Sequence, residues 1–83
     1  MLMLGSAYRH GLGNDDIRHA WQHPLGFYDI RRDHEPTKSL CNGPDRAGNL
    51  LELLYLQATD DDLIIHAMPL RPVFHTYLVG ERP

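Results

Sequence analysis

The chain has 83 residues, 42% of them hydrophobic and 23% charged, with 11 Asp and Glu against 8 Lys and Arg and a formal net charge of −3. That length makes one domain, residues 1–83, with a thin core; the apolar share excludes a wholly disordered chain, and the acidic balance excludes a broadly basic nucleic-acid binder. The positive side is uneven, with Lys38 the only lysine among the eight basic residues and six His beside them, and Arg is the cation whose planar fork suits phosphate.

In chain order, residues 1–5 (Met-Leu-Met-Leu-Gly) lack the charged leader and apolar length of a signal peptide. Residues 6–10 are helix-compatible, and Gly11 suits the left-handed position that ends a helix. Asn14 reads as the next N-cap, with Asp15 and Asp16 complementing the helix dipole. The segment 15–23 then places Ile17, Ala20 and Trp21 on one stripe, and Pro24 stops it. Phe27–Arg32 reads as a strand and 33–37 as a polar loop. Lys38–Asn42 is a second short strand, followed by a turn-rich connection at 43–48.

The apolar run 49–57 reads as a central strand, with Leu51, Leu53 and Tyr55 on one side and Leu50, Glu52, Leu54 and Leu56 on the other. Asp60, Asp61 and Asp62 mark a solvated hairpin tip. Residues 63–68 return as a strand, with Leu63, Ile65 and Ala67 opposite Ile64, His66 and Met68. Pro72 suits the first position of a terminal helix whose stripe is Val73, Phe74, Tyr77 and Leu78. The fold class expected is α+β: a small antiparallel sheet of three to four strands, two N-terminal helices and a short C-terminal helix.

Cys41 stands alone, which excludes an intrachain disulfide and cysteine-based zinc sites and fits a reducing interior; a buried apolar role is its default. No run approaches 18 apolar residues, so a soluble cytoplasmic chain is expected, with no membrane association. Among residues able to do chemistry, His66 lies in an apolar strand shortly before Arg71 and His75. A histidine moves a proton near neutral pH, and an arginine holds a phosphate or offsets charge developing on one. Arg9, His10, Arg31 and Arg32 are the other local concentrations of positive charge. Gathered beside Arg71, they would make a phosphate-binding surface within an acidic protein. His19 and His23, four apart and near Asp16, have metal-ligand spacing but lack the glutamate of a zinc-protease helix. The pattern otherwise calls for no cofactor and no metal.

The order of segments carries a further signal. Tyr-Arg-His-Gly at 8–11, followed by a short acidic-capped helix ending at His23-Pro24, resembles the opening of BrnT-type toxins. Gly-Pro-Asp-Arg-Ala-Gly-Asn-Leu-Leu-Glu at 43–52 and Asp-Leu-Ile-Ile-His-Ala-Met-Pro-Leu-Arg at 62–71 are similar to that family's glycine turn and paired strands. The resemblance spans roughly residues 7–79. It implies a compact fold related to RelE-type ribonucleases and the toxin role in a type II toxin–antitoxin system, acting as an endoribonuclease on RNA. It also implies silencing by a small DNA-binding antitoxin of ribbon-helix-helix or helix-turn-helix type, with operator DNA met only through that partner. Met68 stands where the family's last strand carries Arg, so Arg71 would supply that charge from three residues on. On this reading His66, Arg71 and His75 are catalytic, and Arg9, His10, Arg31 and Arg32 hold RNA. Two other classes stay open: a non-enzymatic module that binds a small partner, and a metal binder through Asp16, His19 and His23.

Overall fold

The computed structural model describes residues 1–31, 37–58 and 61–74. These residues form five strands and one α-helix: β1 (Leu2–Met3), α1 (Asn14–Gln22), β2 (Gly26–Arg31), β3 (Lys38–Pro44), β4 (Leu50–Gln57) and β5 (Asp62–Pro69). A single sheet runs in the order β1-β5-β4-β3-β2. β2 to β5 form an antiparallel meander, and β1 joins β5 in parallel through Leu2 opposite Leu63 and Met3 opposite Ile64. Among the described residues no helix is long and apolar enough to cross a membrane.

This corrects the expected architecture. The sheet is mixed and five-stranded, and one α-helix stands where two N-terminal helices were expected. Residues 6–10 do not make a helix, because only a few residues separate the strand pairing at Leu4 from the glycine at 11. A 3-10 turn at Gly5–Tyr8 is what fits, since helix nucleation needs more hydrogen-bonded residues than that. Gly11 does take the left-handed conformation expected of it, at φ 82°. The four apolar residues at the start add the fifth strand, with Leu4 N–H donating to the Ile64 carbonyl at 3.0 Å. At the other end, residues 72–74 close a 3-10 turn, with Phe74 N–H donating to the Arg71 carbonyl at 3.0 Å. The rest of the expected terminal helix lies outside the described residues.

The covered face of the sheet follows from strand alternation. Leu51, Leu53 and Tyr55 of β4 pack with Cys41 of β3, Ile64 and Ala67 of β5, Ala7, and Ile17 and Ala20 of α1. Trp21 closes one side of this core, edge-on to both Phe27 and Tyr55. The helical stripe Ile17, Ala20, Trp21 is therefore as the sequence spacing predicts, and so is the inward side of β4. The assignment on β5 is not. Leu54 opposes His66 but Tyr55 opposes Ile64, so Ile65 is an extra residue in a β-bulge. The bulge puts Ile64 and Ala67, three apart, on the same buried face. Strict alternation would have paired Ala67 with Ile65.

The β3–β4 connection is built by Asp45. Its side chain accepts from the Ala47 N–H at 3.0 Å and the Asn49 N–H at 2.8 Å. Gly48 supplies the positive φ of 90° that completes the turn. Of the triple aspartate, Asp61 pairs with the N-terminal ammonium and Asp62 opens β5. Asp60 lies outside the described residues.

A glutamate-anchored histidine–arginine cluster

The sheet's second face carries the chemistry. Glu52, in the middle of an apolar strand, is fully buried, and a carboxylate there needs compensating donors. Three groups supply them. The Arg71 guanidinium donates through Nε at 3.0 Å and through Nη2 at 2.7 Å. The Arg71 backbone N–H donates at 2.9 Å, and His66 Nε2 donates to Oε2 at 3.0 Å. Glu52 opposes Met68 across the ladder while His66 opposes Leu54, so glutamate and histidine are diagonal neighbours on one face. Arg71 reaches the same carboxylate because Leu70 N–H still bonds the Leu50 carbonyl, at 3.0 Å, and holds the exit of β5 beside β4.

Hydrogen-bond logic fixes the states of these groups. Burial alone would raise the Glu52 pKa, but the bonds from Arg71 and His66 outweigh it and hold the carboxyl below its ordinary value. An ionised carboxylate only accepts, so the proton of neutral His66 sits on Nε2 and the Nδ1 lone pair is open. Burial lowers the His66 pKa, aided by the positive charge of Arg71, against the raising effect of Glu52. His66 is therefore held neutral at physiological pH. The ring of His10 stands edge-on to it, with centroids 5.1 Å apart. Arg71 is 45% exposed, keeps donors beyond those used by Glu52, and lies 5.4 Å from the centre of the Phe74 ring.

Three of the sequence-predicted site residues thus meet: His66, Arg71 and His10. The exposed Arg9 makes no described side-chain contact with them. Arg31 closes β2 opposite Lys38, whose β4 partner is Leu56, four residues from Glu52. That places the Arg31 backbone roughly 16 Å from Glu52 at ordinary strand spacings. The sheet therefore does not bring Arg31 to the cluster. Arg32 and His75 lie outside the described residues. Glu52 was not among the candidates, although a charge inside the run Leu50–Leu56 is itself the signal that a buried partner exists. Cys41 is buried and its thiol is pushed up to about 12 by burial, as expected of an inert cysteine.

The two depressed pKa values predict a pH dependence with a definite sign. Unfolding frees both groups to bind protons at their ordinary values, so the unfolded chain takes up more protons on acidification. The contribution of His66 is complete above its ordinary value of 6.5 and is lost as pH falls below it. That of Glu52 is complete above 4.5 and is lost below. Urea midpoints measured from pH 8 to pH 3 should therefore fall in two stages. A His66→Gln variant should lose the upper stage only.

The fold and the cluster define a small mixed-sheet protein with a carboxylate-oriented histidine and arginine on one sheet face. Comparison with protein-family models, with curated proteins and with solved structures found no match.

Proposed function

We propose that this chain is a metal-independent endoribonuclease, acting in the cytoplasm as the toxin of a type II toxin–antitoxin pair. The observation that carries the catalytic reading is the single buried carboxylate that orients both His66 and Arg71. The setting as a toxin rests on the resemblance of residues 8–11, 43–52 and 62–71 and not on the fold. RNA can be cut with protein groups alone, because its own 2′-hydroxyl is the nucleophile. His66 Nδ1 accepts the 2′-hydroxyl proton, and the 2′-oxygen forms a bond to phosphorus. The P–O5′ bond breaks, and the leaving oxygen is protonated by His10 in its imidazolium form or by water. A 2′,3′-cyclic phosphate and a 5′-hydroxyl result. The outward donors of Arg71 hold the phosphate and offset its developing charge, while Glu52 is a positioning residue for both.

Purified protein should cut RNA in the presence of EDTA, and His66→Gln should lower the rate by about 100-fold or more. Its induction alone should arrest growth, and the same variant should relieve the arrest. No cleavage and no arrest with the wild type would end the enzyme reading. A second reading, a module that binds a small antitoxin-like partner without cutting RNA, is favoured by the edge strand β2. It exposes Phe27 at its start, next to the exposed Leu25, and a sheet edge can accept a further strand. A stable partner that co-purifies, with no nuclease activity after its removal, would select that reading.

A further inference from the structure

Asn42 shares the sheet face of Glu52, which it opposes directly across the β3–β4 ladder, and its neighbour on the other side is Gly26 of the edge strand β2. The Asn42 side chain is fully buried, yet neither its Nδ2 nor its Oδ1 has a hydrogen-bond partner among the described residues. Glu52 does not serve it, because that carboxylate is turned to His66 and Arg71 on the β5 side. A buried amide without partners costs free energy that an apolar side chain of similar volume would not. The fold therefore carries a paired donor and acceptor that it does not itself use.

The surroundings of this amide suit a flat ring. Gly26 has no side chain, and the space above it is held by Tyr28, two residues on and on the same face. A β-carbon built on Gly26 falls against the Tyr28 hydroxyl and lies 2.9 Å from its Cε2 atom. Tyr28 is partly exposed at the border of the sheet, so its ring can turn outward by side-chain rotation alone. That turn opens a slot with glycine as its floor, an aromatic face as its wall and the Asn42 amide at its inner end.

We propose that Asn42, Gly26 and Tyr28 form a nucleobase site that opens when Tyr28 turns, and that the base it reads is adenine. The site deepens the ribonuclease reading and takes its substrate, RNA, from that reading. A side-chain amide matches the N6 donor and N7 acceptor of adenine in one plane, and the base stacks on the Tyr28 ring. Two strand spacings, about 10 Å, separate the strand of Asn42 from that of His66. The base in the slot therefore belongs to a nucleotide flanking the phosphate held by Arg71.

Fluorescence anisotropy at low salt with labelled oligodeoxyadenylate and oligodeoxycytidylate tests this. Without a 2′-hydroxyl neither strand can be cut by the chemistry proposed above, so binding is read apart from cleavage. The wild type should bind the adenine strand about tenfold more tightly. Asn42→Leu should erase that preference and raise the Tm, because it removes an unpartnered buried amide. Gly26→Ala, whose β-carbon fills the floor of the slot, should also erase it. Equal affinity of the wild type for the two strands, or a preference that survives in Asn42→Leu, would overturn the site. So would a lower Tm in Asn42→Leu, which would show that the amide has a partner within the protein. An adenine preference without RNA cleavage would end the enzyme reading and keep the site, and cleavage without the preference would do the reverse.

Discussion

Arg71→Ala is expected to cost about 2–3 kcal/mol of stability, whereas Glu52→Leu, which removes the carboxylate at the other end of the same contact, is expected to cost far less. Deleting one partner of a buried ion pair leaves the other charge uncompensated, typically at about 3–5 kcal/mol. The lower figure applies here because Arg71 is 45% exposed and solvent screens part of its interaction. In Arg71→Ala the fully buried Glu52 loses the guanidinium and keeps only the neutral donors, His66 and the backbone N–H of residue 71. Without Glu52, the exposed guanidinium and the Arg71 N–H turn to water, and leucine fills the apolar space. Arg71→Ala should also shift acid unfolding to higher pH, because the main influence holding the Glu52 carboxyl down is gone. Urea unfolding at pH 7.5 measures the asymmetry. Equal losses in the two variants would show that the carboxylate is not the group stranded by truncation.

The second large effect concerns Gly43 in β3, which faces α1. A β-carbon placed there runs into the Ala20 carbonyl oxygen and lies 3.1 Å from both the Ala20 carbonyl carbon and the His23 oxygen. These are backbone atoms of a helix end, already fixed by the bond from His23 N–H to the His19 carbonyl at 3.0 Å. They cannot swing aside, so helix and strand must separate. Gly43→Ala should therefore cost about 3 kcal/mol, at the upper end of ordinary overpacking. Gly26→Ala is the internal comparison. There the obstruction is the Tyr28 ring and its hydroxyl, a side chain that can rotate away, so the loss should be under about 1 kcal/mol. A Gly43→Ala protein as stable as the Gly26→Ala one would mean that α1 is not seated this closely on the sheet.

The same positions show what could be read from residue order and what could not. The α1 stripe, the inward side of β4 and the left-handed Gly11 were all legible, because each depends on local spacing or on one residue's allowed conformations. His66 and Arg71 were legible as reactive types near one another. Their common partner was not placed, since Glu52 reaches Arg71 and His66 only through the β4–β5 register, and the Ile65 bulge interrupts that register. The meeting of His10 with His66 was out of reach for the same reason. The fifth strand was missed because Leu2–Met3 is too short to show any alternation. Its identity comes from a parallel neighbour some sixty residues away. Residues 6–10 carry helix-compatible side chains, but side-chain type does not express the cost of starting a helix in so short a space.

The brevity of β1 has an effect that reaches past its own two residues. Because it releases β5 at Ile64, the outer flank of the strand from His66 onward is not sealed by a neighbouring backbone among the described residues. Beside that flank lies the 3-10 turn, with Ser6 Oγ donating to the Ile65 carbonyl at 2.6 Å, and the residues after it bring His10 against His66. A longer first strand would have continued the ladder and carried His10 away. Among the described residues, that border of the sheet has no strand beside it past Ile64, and it is there that the first and last thirds of the chain come together at His66.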